Sequence, residues 1–155
     1  MVETRKSIVI DAPSPVVFKA ITDEAELVQW MHKEARMDLR VGGEYEFKFY
    51  WAEANITGVA KGKILERIPN KKISYTFDAT YPGFDRRVEG TVVTWTLEEL
   101  PEGKTKVTLV HTGVDWAGYT YWLRCLESYC REMAAKARTD WRGNLILSAV
   151  NLRPN

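Results

Sequence analysis

Cysteine, histidine and net charge are all scarce in this chain. Its 155 residues include 2 cysteines and 2 histidines, and 22 lysines and arginines nearly cancel 21 aspartates and glutamates, leaving +1. Basic and acidic residues are interleaved, so no phosphate-tracking groove is expected and nucleic acid is not an expected partner. No apolar stretch approaches the ~18 residues of a membrane span. Ile8-Val9-Ile10 is too short for the core of a signal peptide. Membrane insertion is therefore not expected, and a cytoplasmic location is. With so few histidines and no clustered ligands, no metal site is expected. The sequence has no G-x-S-x-G elbow, phosphate-binding glycine loop, dinucleotide fingerprint or C-x-x-C, so no cofactor is expected either. Cys125 and Cys130 are five residues apart in a helical pattern. That separation turns them ~140° apart around the helix, too far to pair. They read as buried small hydrophobes and suit a reducing compartment.

Aromatic residues are what the chain does have: 6 Trp, 7 Tyr and 5 Phe. The length fits one domain over residues 1–155, with a core from about 3 to 139 and a tail at 140–155 whose placement the pattern does not give. Glu3 to Ile10 reads as a strand. Ser14-Pro15 looks like a helix cap followed by proline at the first helical position. Val16, Val17, Ala20 and Ile21 make a short amphipathic helix. Thr22-Asp23-Glu24 starts a second, with Leu27, Val28 and Trp30 as its apolar face. Tyr45, Phe47, Phe49 and Trp51 alternate with Glu46, Lys48 and Tyr50, the period of a half-buried strand. Further strands follow over Asn55–Ile68, Ile73–Phe77, Val93–Leu97 and Val107–His111, with turns at Pro69-Asn70 and Pro101-Glu102-Gly103. A long helix is expected from Trp116 to Arg138, burying Tyr119, Trp122, Leu126, Tyr129, Met133 and Ala137. The fold class is α+β. A curved antiparallel sheet of about six to seven strands wraps around the long C-terminal helix, with two short helices after the first strand.

The local motifs match a known arrangement. Ile10-Asp11-Ala12-Pro13 with Val16 to Asp23, Leu27 and Trp30 resembles the opening of the START-like (SRPBCC) superfamily, the helix-grip fold. Asp38-Leu39-Arg40-Val41-Gly42-Gly43-Glu44-Tyr45 is similar to the D-x-R-x-G-G-x-Y segment of one branch, the family like the activator of the heat-shock-protein-90 ATPase. Gly62 to Glu66, Ile73 to Phe77, Thr105 to Gly113, and Trp122, Leu123 and Leu126 resemble its later strands and final helix. The resemblance spans roughly residues 7 to 130. It implies a cavity between sheet and helix. It leaves function open, because the superfamily includes carriers, cyclases and co-chaperone domains.

The leading expectation is binding of a hydrophobic small molecule in that cavity, rather than catalysis. Phe47, Phe49, Trp51, Tyr75, Phe77, Trp95, His111, Tyr119 and Trp122 are the expected lining. Gly58, Ala60 and Gly62 give one strand a small face, which would leave room. His111 shares parity with Val107 and Leu109 and points inward. It is the best single catalytic candidate if the protein is instead a cyclase or hydratase. His32 reads as a surface residue. Arg36, Asp38, Arg40, Glu53, Asp78, Arg86, Glu89 and Asp115 read mostly as solvated surface, with Arg86 or Glu89 at the pocket mouth as orienting groups. A third reading is a module acting on a chaperone partner. The chain is expected to be a monomer or a homodimer.

Overall fold

The structure is a computed structural model that describes residues 2–51, 56–81, 87–115 and 118–139. Strand β1 (Glu3–Ile10) leads into helices α1 (Ser14–Thr22) and α2 (Glu24–Trp30). Six strands follow: β2 (Glu34–Met37), β3 (Glu44–Trp51), β4 (Ile56–Ile68), β5 (Lys72–Thr80), β6 (Arg87–Leu100) and β7 (Lys104–Thr112). Helix α3 (Tyr119–Thr139) comes last. The sheet is antiparallel throughout, in the order β1-β7-β6-β5-β4-β3-β2. β2 to β7 form a meander, and β1 joins beside the last strand, with Thr4 opposite His111. The helix-grip class is thus the one observed.

β1 and β2 are the two edges of the sheet, so the chain between them must cross from one edge to the other. The two short helices make that crossing. Asp23 separates them and caps α2, its Oδ1 accepting from the Ala25 and Glu26 backbone N–H groups at 2.9 and 3.3 Å. Trp30 Nε1–H donates to the Ala20 carbonyl at 2.8 Å and ties α2 back onto α1. Ser14 does not cap α1. Its hydroxyl donates to Glu99 at 2.7 Å, and Pro13 occupies the cap position.

Period-two patterning decides the inner face of the sheet. Tyr45 and Phe47, Ile73 and Tyr75, Val93, Trp95 and Leu97, and Val107, Leu109 and His111 are all buried. Lys61 and Lys63 are exposed on the opposite face. Val17, Phe18, Leu27 and Leu126 complete the core from the helical side. Each such side chain contributes about 1.5–3 kcal/mol on full burial.

Two expectations are corrected and one strand is added. β2 had no signal as a strand, because Glu-Ala-Arg-Met is short, charged and at an edge. α3 runs over Tyr119–Thr139, and Trp116, near which it was expected to start, lies outside the described residues. Its buried stripe is Tyr119, Leu123, Leu126, Cys130 and Ala134, while Trp122, Tyr129 and Met133 flank it half-buried. Val28 is exposed, so only Leu27 and part of Trp30 face the core from α2. Cys130 is buried and Cys125 half-buried, both as free thiols. Among the described residues no helix is long and apolar enough to cross a membrane.

Candidate functional site

The inner face of β3, β5, β6 and β7 is a wall of rings. Tyr45 sits 4.7 Å from Phe47 and 4.7 Å, edge-on, from Tyr75. Phe47 meets Tyr75 edge-to-face at 6.4 Å. Phe49 lies against Tyr81 at 5.9 Å, and Phe77 against His111 at 4.8 Å. Offset and edge-on geometry is what ring quadrupoles favour. The close approaches need glycine. A Cβ on Gly58 would lie 2.2 Å from the Phe49 ring, and one on Gly62 would lie 2.1 Å from the Thr76 carbonyl. The small face of β4 therefore does not leave empty room, as its composition suggested. Phe49 and Thr76 occupy that space.

The polar tips inside this wall are nearly all accounted for. Tyr45 donates to the Thr76 carbonyl at 2.6 Å. Trp95 Nε1–H donates to the Tyr75 hydroxyl at 3.0 Å. A chain of four groups runs through His111. The Thr91 hydroxyl donates to the Phe77 carbonyl at 2.6 Å, so only its lone pair faces His111 Nε2 at 2.8 Å. Nε2 must then carry the ring proton. Nδ1 is bare and accepts from the Tyr119 hydroxyl at 2.5 Å. The geometry puts the proton of the neutral imidazole on Nε2. Burial supports it, pushing the His111 pKa down to about 4. Burial also raises the Tyr119 and Tyr45 hydroxyls far above their usual range, and Tyr75 to about 12. These groups stay uncharged at neutral pH and can only give and take hydrogen bonds.

The expected lining residues divide into two sets. Phe47, Tyr75, Trp95, His111 and Tyr119 are buried and mutually packed. Phe49, Phe77 and Trp122 are half-buried, and Tyr81 joins them. Trp51 ends β3, and its side chain lies outside the described residues, as do Glu53, Arg86 and the 140–155 tail. Glu89 pairs with Arg87 at 2.9 Å on the exposed surface. Asp78 accepts from the Gly90 backbone N–H at 2.7 Å. Arg36 pairs with Glu46 and Asp38 with Arg40, all solvated, and Asp115 is exposed. A shallow groove between α2 and β2, floored by Val28 and Ala35, is rimmed by the Arg36–Glu46 and Lys48–Glu34 pairs. Lys33 lines it as well, so three cations meet two carboxylates there.

The sequence reading missed two residues here. Thr91 shares parity with Val93 and Trp95, which was a usable signal. His32 is the larger correction. It is 9% exposed, not at the surface, and stacks on Phe47 with ring centroids 4.2 Å apart at 18°. A lone histidine at a helix end carries no periodic signal of burial.

This geometry can be set beside known proteins. The sequence pattern of the activator of Hsp90 ATPase homolog 1-like proteins matches residues 11–119. The chain belongs to that family. No curated protein matches it. Solved structures share the fold. A Chromobacterium violaceum protein is 24% identical with a TM-score of 0.69, the alignment covering 83% of this chain and 96% of that one. A Nitrosomonas europaea protein is 18% identical, TM-score 0.69, covering 86% and 96%. The Aha1 dimer from Colwellia psychrerythraea is 20% identical, TM-score 0.65, covering 84% and 97%. At these identities the likeness is one of fold.

Proposed function

We propose that this protein binds a hydrophobic or aromatic small molecule between the inner face of its sheet and α3. One observation carries the reading. Phe49, Phe77, Tyr81 and Trp122 come from different parts of the chain, lie against the core, and keep part of their surface open. A ligand that covered those rings would gain roughly 25 cal/mol for each Å² of apolar surface removed from water. The polar groups beside them are neutral hydrogen-bonding tips, the mix typical of small-molecule sites. Family membership agrees with the reading.

Catalysis is the weaker reading. Both His111 nitrogens are engaged, so a cyclase or hydratase using it as a base would first have to break the Tyr119 bond. The two free thiols favour a reducing, cytoplasmic setting. A chaperone partner follows from the family description alone. A homodimer has a precedent in the Colwellia relative.

Native mass spectrometry of the purified protein, followed by denaturation and analysis of anything released, tests the reading. Titration with the uncharged probe N-phenyl-1-naphthylamine completes it. A released molecule, or saturable probe binding at one site per chain that weakens at least about fivefold in Phe77→Ala, is expected. The absence of both would overturn the reading.

A further inference from the structure

His32 is held in place from both sides. Its backbone N–H donates to the Leu27 carbonyl at 3.0 Å, closing α2, and the next residue's N–H donates to the Lys48 carbonyl at 2.8 Å, opening the β2–β3 pairing. The ring is thereby fixed on the inner wall, flat on Phe47 and 6.5 Å from Phe49. Both its nitrogens are buried, and among the described residues neither has a hydrogen-bond partner. Buried polar atoms in folded proteins are nearly always paired, because an unmet donor or acceptor loses its water without compensation. Covering Phe47 needs only a flat apolar side chain. A histidine adds one donor and one acceptor that the described residues leave unused.

A second unused group lies beside the same ring. The Tyr75 hydroxyl accepts from Trp95, but among the described residues its own proton has no acceptor. Tyr75 meets Phe47 edge-on while His32 covers its face. Burial alone pushes the His32 pKa down, to about 3, with no charged neighbour contributing. An anionic ligand group would therefore find no counter-charge at this imidazole.

We propose that His32 is a ligand-binding residue: its uncharged imidazole hydrogen-bonds the hydroxyl of a neutral aromatic or apolar molecule seated against the half-buried Phe49 ring beside it. A hydroxyl fits because it donates to a bare nitrogen or accepts from a protonated one, whichever tautomer is present. Tyr75 offers a donor to a second oxygen on the same molecule. The assignment rests on the binding function proposed above and names the chemistry of its ligand.

The test uses 2-naphthol, naphthalene and 2-naphthoate as probes, with wild-type protein and His32→Phe, which keeps the stack and removes both nitrogens. Wild type should bind both neutral probes and bind naphthoate at least about tenfold more weakly than naphthol. The naphthalene-to-naphthol ratio of Kd values should fall about tenfold in His32→Phe, the worth of one hydrogen bond to a buried partner. Nitrogen-detected NMR of the wild type gives a readout independent of the variant's folding. Naphthol should shift a His32 ring nitrogen and leave the His111 nitrogens unchanged. An unchanged Kd ratio, or an unshifted His32 nitrogen with naphthol bound, overturns the His32 assignment and leaves the cavity standing. Tighter binding of naphthoate overturns the neutral-ligand class. Failure of wild type to bind either neutral probe overturns the cavity reading and this assignment together.

Discussion

Protonating His32 puts a positive charge where no counter-charge waits, and protonating His111 breaks its bond from Tyr119. In the folded chain both pKa values lie below the ordinary 6.5, at about 3 and about 4. Between those values and about 6.5 the unfolded chain binds more protons than the folded one. Stability is thus intact above about pH 6.5 and falls as pH drops toward 4. His32 contributes a slope of up to about 1.4 kcal/mol per pH unit. Urea midpoints at pH 7.5, 6 and 5 should decline, and the decline should be shallower in His32→Phe; parallel profiles would contradict this. Tyr119→Phe removes the donor to His111 Nδ1 and leaves a buried acceptor unmet. It should cost about 1–3 kcal/mol in urea unfolding. A cost below about 0.5 kcal/mol would mean that water replaces the bond.

The elements differ in how clearly the sequence shows them. β3, β5, β6 and β7 alternate large apolar and polar residues, so their period of two is visible without any knowledge of partners. β2 is four residues at an edge, and only its pairing with β3 makes it a strand. In α3 two stripes fit the same helical period. The aromatic one, through Trp122 and Tyr129, looks stronger, but the helix packs mainly on β1 and α1, and small Cys130 and Ala134 are among the residues it buries. Larger rings flank that contact, and Tyr129 reaches Glu26 of α2 at 2.8 Å. The inward side of His111 was legible from its strand, whereas His32 is buried by tertiary contacts its neighbours in sequence do not announce. Two glycines in β4 separate rigid from yielding contacts. Gly62→Ala drives a methyl into the Thr76 carbonyl, and Gly58→Ala into the movable Phe49 ring. Gly62→Ala should therefore lower the melting temperature clearly more than Gly58→Ala. Asp23→Ala, which uncaps α2, should cost about 1 kcal/mol.

Across the whole molecule, one sheet face supplies the rings, α3 meets them through Tyr119 at His111, and the crossing between the sheet edges brings His32 onto the wall. The outer face carries Leu65 and Ile68 exposed, without a comparable ring cluster among the described residues. The central claim is that a hydrophobic molecule enters between sheet and α3. Its most direct test is an amide NMR titration of the labelled protein with N-phenyl-1-naphthylamine. The account predicts saturable shifts centred on Phe49, Phe77, Thr91, His111 and Trp122, with Leu65 and Ile68 unmoved. Shifts centred on Leu65 and Ile68, or no saturable shifts at all, would contradict it.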